Sequence, residues 1–207
     1  MTLSAIEVNK LKQAPAVDGV LPAVLSRWSA RSFADRDVSD ADLTKIFEAA
    51  RWSASSYNEQ PWRFLVGKRK TETHQKIFSS LIGFNQSWAG AAAVLILGAT
   101  STKFSHNGTA NAYALYDLGA AAAELAVQAA ALGLTTHSMA GFDHDAARKA
   151  FAIPEDYALG AVIALGYQGE PNALNSEQLI ALETTPRERK PLKELVLSAW
   201  KTPAKLI

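Results

Sequence analysis

The chain has no cysteine, which excludes disulfides, thiolate nucleophiles, iron–sulfur clusters and cysteine-ligated zinc. Any redox chemistry therefore needs a cofactor. A strong net charge is also missing. The 21 Lys and Arg face 20 Asp and Glu, so there is no electrostatic footprint for nucleic acid or an anionic membrane. No linker rich in Gly, Ser or Pro, no low-complexity block and no internal repeat divides the sequence. There is no GxGxxG after a strand, no GxxxxGK(S/T), no HExxH and no GxSxG, so dinucleotide-fold, P-loop, zincin and serine-hydrolase readings lack their key residues. His74, His106, His137 and His144 show no ligand-like pairing, and no metal site is expected. Glu7, Lys10 and Lys12 stand where a secretory signal needs its apolar run, which makes a cytoplasmic protein the expectation.

What is present describes a folded domain. With 207 residues, 48% of them hydrophobic and 20% charged, the chain can bury a core without staples, and residues 1–207 are expected to form a single domain. Pro22 suits the first turn of a short helix running to about Trp28. Ser39, with Asp42 three residues on, resembles a capping box ahead of Leu43, Ile46, Phe47 and Ala50 at helical spacing. Residues 62–66 read as a strand, 71–81 as a helix, and the continuous apolar run 93–98 as a central strand. From Ala110 to Ala131 there are 22 residues, eleven of them Ala. That length suggests a membrane span, but Asp117, Glu124 and Gln128 make a buried helix the better reading. A helix of that length spans about 33 Å. It is apolar nearly all round, so a second subunit is expected to complete its burial. Residues 135–139 read as a strand, Asp143 caps a helix that stops before Pro154, and 159–165 form another buried strand. Helices interleaved with short apolar strands indicate a mixed α/β class.

Three polar segments could carry chemistry. Arg27, Ser29 and Arg31 can offer guanidinium forks and a hydroxyl to a phosphate, or simply form a solvated helix end. Ser55, Ser56, Asn58 and Gln60 suit hydrogen bonding to a flat heteroaromatic ring or a polyol, or form an ordinary turn before Pro61. Arg187, Arg189 and Lys190 are either a basic cluster with a ligand or a solvated face. The near-zero charge hides polarity: residues 187–205 hold six bases and two acids, whereas residues 104–166 hold two bases and six acids.

In order, the chain reads RWSARSF, a helix, ASSYNEQPWRFLV, an Ala-rich helix leading to LGL, then MAGFD, AVIALGYQGE and RERKPLKELV. This succession, from about Ala23 to Val196, resembles the FMN-dependent nitroreductase family. The resemblance implies an α+β fold with a central mixed, mostly antiparallel sheet flanked by helices, and a long buried Ala-rich helix at a homodimer interface. It implies FMN as cofactor and NADH or NADPH as reductant, with nitroaromatics or quinones reduced in a ping-pong cycle and no side-chain acid or base required. It assigns the FMN phosphate and ribityl chain to Arg27, Trp28, Ser29 and Arg31, with Trp28 standing where the family commonly has a second basic residue. Ser55, Ser56, Asn58 and Gln60 then approach the flavin from the other subunit, and Asn85 lies near its pyrimidine edge. Met139, Ala140 and Gly141 run along the isoalloxazine, with a backbone N–H for N5. Arg187, Arg189 and Lys190 close on the phosphate, and residues from about 187 to 207 form an extension that wraps the partner. A flavin reductase, dehalogenase or dehydrogenase on the same scaffold, a flavin-storage protein without activity, and a cofactor-free structural dimer stay open at this point.

Overall fold

A computed structural model describes residues 3–205. The apolar run in the middle of the chain becomes strand β2 (Val94–Ser101) at the centre of a sheet, between β1 (Trp62–Lys68) and β4 (Tyr157–Gly166). Strand β3 (Thr135–Met139) pairs with the other edge of β4, which gives the order β1-β2-β4-β3 with all three pairings antiparallel. Alternation along β2 explains its uniform hydrophobicity. Leu95, Leu97 and Ala99 face one core, while Val94 and Ile96 face another, so neither side chain set meets water.

Helices α4 (Glu72–Ser80), α5 (Gly83–Ala89) and α7 (His144–Phe151) supply the first core with Ile77, Trp88 and Ala147. Helices α3 (Asp40–Arg51) and α6 (Ala114–Ala131) supply the second with Leu43, Ile46, Leu118, Ala121 and Leu125. Their starts follow local chemistry. Ser39 Oγ accepts the Asp42 N–H, Thr71 Oγ1 the His74 N–H, and Asp143 Oδ1 the Ala146 N–H. Gly160 in β4 passes so close to Leu118 that a Cβ there would lie 2.6 Å from Leu118 Cδ2, and this proximity seats α6 on the sheet.

Helix α6 begins at Ala114 rather than Ala110. Residues 102–111 instead fold back on themselves: Asn111 N–H donates to the Thr102 carbonyl, and Asn111 Oδ1 takes the Tyr113 N–H, so the backbone groups that would start a helix are already committed. Within one chain α6 is buried along a single stripe of Ala114, Asp117, Leu118, Ala121, Leu125 and Ala129. Leu115, Tyr116, Gly119 and Ala123 face outward, so the burial on all sides expected from the sequence is not reached within one chain. No described helix is long and apolar enough to cross a membrane.

Other elements were not legible in the sequence pattern. These are α1 (Ala5–Lys12), α5, α8 (Glu177–Thr184), α9 (Leu192–Leu195) and the small hairpin β5 (Leu197–Ala199) with β6 (Thr202–Pro203). Helix α2 (Pro22–Ser26) stops two residues short of Trp28.

Candidate functional site

That early stop matters, because beyond α2 the backbone runs extended and its side chains alternate. Trp28, Ala30 and Ser32 turn inward, while Arg27, Ser29 and Arg31 turn the other way. Trp28 is therefore a packing residue: its ring joins Val8 and Ala30 in a small core, and its indole N–H donates to Asn9 Oδ1 at 3.0 Å. The two arginines and Ser29 line a cavity of about 280 Å³ together with Trp28, Lys12, His137, Leu182, Arg187 and Arg189. Five basic side chains from opposite ends of the sequence thus meet in one place. Lys190 is exposed and lies outside this cavity, against the expectation that it would join the cluster. Position explains it, since the chain passes the cavity with Arg187 and Arg189 and has left it by the next residue.

Two residues that the sequence did not single out build this cavity. Glu183 on α8 is fully buried. Its carboxylate accepts the Arg31 N–H at 2.9 Å, the Ser32 N–H at 3.0 Å and the Gln168 amide at 2.9 Å. Lys12, the last residue of α1, donates its ammonium to the Leu182 and Thr185 carbonyls at the end of α8. Arg187 plays a similar part, because its guanidinium donates to the carbonyls of Arg27 and Leu25 at the end of α2. It docks the C-terminal arm beside the cavity with its charge still in place.

Electrostatically the cavity is under-compensated. Burial pulls the pKa values of Arg27, Arg31, Lys12 and Arg187 below their ordinary ranges; Arg189 lowers those of Arg27 and Arg187 further, and only Glu183 pulls the other way on Lys12 and Arg31. Arg31 Nε is buried without a hydrogen-bond partner. Clustered cations with an unused donor call for an anion, and a planar fork suits a phosphate.

His137 stands on β3 in the same cavity. Burial first, and then Arg31, push its pKa down to about 4. It is neutral at pH 7, and since Nδ1 lies 3.0 Å from the Ala30 carbonyl, Nδ1 carries the proton. The sign of the linkage follows. Between about pH 6.5 and 4 the unfolded chain binds a proton at His137 that the folded one refuses, so stability falls as pH drops through that window. Thermal melts of wild type between pH 7 and 4.5 should show this decline, and His137→Gln should flatten it, with His74 keeping its own burial-driven share. Parallel declines in both proteins would remove His137 from this account.

Further along β3, about 10 Å from His137 at the rise of a strand, the chain turns at Met139, Ala140 and Gly141. Among the described residues, neither the Ala140 nor the Gly141 N–H donates within the protein. Asn85 on α5 is buried, and its amide donates to the Gly141 carbonyl at 2.9 Å. It holds the turn. A Cβ on Gly141 would lie 2.9 Å from that amide and 2.7 Å from Ile82 Cδ1, so any larger residue would have to displace the ends of both side chains.

The segment with Ser55, Ser56, Asn58 and Gln60 lines none of this cavity in its own chain. It lies instead beside α6, where the Ser56 N–H donates to the buried Asp117 carboxylate at 3.1 Å and Ser55 Oγ accepts the Gln60 N–H. Tyr57, Asn58 and Gln60 all have positive φ, near 55°, 56° and 50°. Three non-glycine residues in the left-handed region within four positions mark a loop held under strain by its surroundings.

Comparison with known proteins agrees with the fold. The chain matches the Nitroreductase family over residues 24–87 and 80–167. A protein of Mycolicibacterium smegmatis of 15.4 kDa, with no assigned activity, is 36% identical over 149 residues, covering 68% of this chain and 99% of the relative. A protein of Archaeoglobus fulgidus, provisionally described as an NADH dehydrogenase/NAD(P)H nitroreductase, is 30% identical over 153 residues, covering 71% and 84%. Among solved structures, an oxidoreductase containing FMN superposes with a TM-score of 0.84 at 31% identity, covering 92% of this chain and 97% of the other. A provisionally assigned nitroreductase from Desulfovibrio desulfuricans, in complex with FMN, gives a TM-score of 0.69 at 26% identity and covers 89% and 98%. With its antiparallel sheet between two helical layers and its paired N- and C-terminal basic segments, the chain belongs to the nitroreductase family of oxidoreductases.

Proposed function

We propose that this protein is an FMN-dependent oxidoreductase that takes electrons from NADH or NADPH and passes them to planar, electron-poor acceptors such as nitroaromatics and quinones. The observation that carries the proposal is the basic cavity: Arg27, Arg31, Arg187, Arg189 and Lys12 gathered in one place, with Arg31 Nε unpaired. The residues fit the group. Arg27, Arg31 and Arg189 would hold the phosphate, and Ser29 can donate to the ribityl chain. Neutral His137 adds no charge, so the phosphate meets guanidinium and ammonium donors alone. The Met139–Gly141 turn, at about a strand's reach from the cavity, offers its two free N–H groups to the ring, and Asn85 fixes their direction. When bound, FMN supplies the two-electron chemistry that no side chain here provides.

The working unit in this proposal is a homodimer. The outward residues Leu115 and Tyr116 of α6, with Tyr113, form an exposed apolar face beside the Ser55–Gln60 loop. Pairing two such faces would cover α6 and bring each loop towards the other chain's flavin. The C-terminal arm, whose Leu192, Leu195 and Trp200 are exposed, would wrap the partner. The test is the visible spectrum of purified protein incubated with FMN and desalted. It should be yellow, with flavin bands that bleach when NADH or NADPH is added without oxygen and return with menadione or nitrofurazone. Protein that stays colourless after incubation would overturn the reading, and bound flavin that never bleaches would reduce it to flavin binding.

A further inference from the structure

A second cavity, of about 350 Å³, shares Arg27 and Trp28 with the basic one. That volume is in the range of small-molecule sites, about 300–1,000 Å³. One wall is the face of α1 that carries Ile6, Asn9 and Lys10, continued by Gln13 just past the helix end. Lys12, one step round the helix, turns into the basic cavity instead. Another wall is Leu134, Thr135 and Thr136, where the chain leaves α6 and enters β3. Trp28 stands between the two cavities: Lys12 Nζ lies 4.9 Å from its ring centre, and Asn9 Oδ1 takes its indole N–H. The family match begins at residue 24, so the α1 wall lies outside the part of the chain it describes.

The lining specifies a ligand. Among the described residues no carboxylate faces the cavity, while Arg27 and Lys10 both do. Nothing negative offsets the half-buried Arg27, and Arg189 beside it is a further cation. These groups call for an anion. Gln168 has the opposite need. Its Oε1 is buried without a hydrogen-bond partner, and its Nε2 is committed to Glu183 and the Gly169 carbonyl, so the missing partner is an N–H or O–H. The Asn9 and Gln13 carboxamides supply the paired donor and acceptor that match adenine at N6 and N7. Ile6, Ala130 and Leu134 give a flat ring an apolar surface. From this set we infer that the cavity binds an adenosine 5′-phosphate group, its phosphate at Arg27 and Lys10 and its base among the carboxamides of Asn9, Gln13 and Gln168. The site stands without the flavin reading. Its consequence rests on that reading: Arg27 faces both cavities, so a nucleotide in one weakens the hold on the flavin phosphate in the other.

The experiment titrates AMP by calorimetry into FMN-loaded wild type, into Gln13→Trp, which fills the cavity mouth, and into Lys10→Glu, which reverses its charge. Both positions are exposed, so the fold is kept. Wild type should bind one AMP per chain, and both variants should bind it at least about tenfold more weakly with FMN content unchanged. Adenosine and inorganic phosphate, each carrying one half of the group, should bind more weakly than AMP. NAD⁺ distinguishes the source: binding tighter than AMP and lost in the same variants makes the ligand the adenosine end of a dinucleotide, and weaker binding makes it a free nucleotide. FMN affinity of wild type should fall about fivefold as AMP is added and then level off, and Gln13→Trp should not respond. No binding of AMP, or binding that both variants leave unchanged, would overturn the inference. So would an FMN affinity that falls without levelling off, because that places AMP in the flavin's own phosphate cavity. Wild type that takes up no FMN removes the flavin reading alone, and the same titrations of flavin-free protein then decide the site by whether the two variants lose AMP.

Discussion

Replacing Glu183 with Leu should cost about 3–5 kcal/mol of folding stability, a large part of the total a domain of this size has. The carboxylate has no exposure to water, yet it receives the N–H groups of Arg31 and Ser32 and the Gln168 amide. Removing it strands three buried donors and leaves Lys12 and Arg31 without the one negative charge that offsets them. Glu183→Gln keeps the volume and an acceptor oxygen but loses the charge, and a smaller cost of about 1–3 kcal/mol is expected. Urea denaturation measures both: the midpoint should move down with the slope unchanged. A Leu variant with the wild-type midpoint would show that the segment from Arg27 to Ser32 is held by other contacts.

Arg27→Met and Arg31→Met should separate function from stability in the opposite direction. Each removes a charge-assisted donor, and FMN affinity should fall about 10- to 100-fold per substitution. The melting temperature without FMN should stay level or rise. Burial holds the pKa values of both residues down, helped at Arg27 by Arg189 and offset only in part at Arg31 by Glu183, so at pH 7, where both are protonated folded and unfolded, their charge opposes folding. Flavin titration by fluorescence, alongside thermal melts of the same samples, reads the two effects separately. A variant that loses stability and FMN together would make the arginine a structural residue. This is the expected signature of a site that holds like charges together for a ligand.

Much of this was legible in the sequence, for physical reasons. The core strands announced themselves because both faces of the sheet are covered, which forces continuous apolar runs such as residues 93–98. Helices α3, α4 and α7 were readable because Ser39, Thr71 and Asp143 cap them with their own side chains. Helices α1 and α8 were missed. Both are short, and their buried side chains include charged ones, Lys12 and Glu183, so no clean apolar stripe marks them. The useful signal for Glu183 was its place four residues after buried Leu179, on the inward side of α8. Arg27, Ser29 and Arg31 were nominated by type, but the reason Trp28 stands among them is the period-two alternation of an extended backbone, visible once α2 is known to stop at Ser26. Asn85 was nominated as a flavin contact, and its observed bond is to the turn that offers the N–H groups. The separation of the Ser55–Gln60 loop from the cavity could not be read from spacing, because it reflects how the sheet places α6 relative to α2.

The central claim is that the basic cavity recognises the phosphate of FMN. Riboflavin has the same ring and ribityl chain without that phosphate, so the dissociation constants of FMN and riboflavin, measured on the same flavin-free protein, address the claim directly. FMN should bind at least about 100-fold more tightly, and the ratio should shrink as salt is raised. Equal affinities for the two flavins would contradict the account.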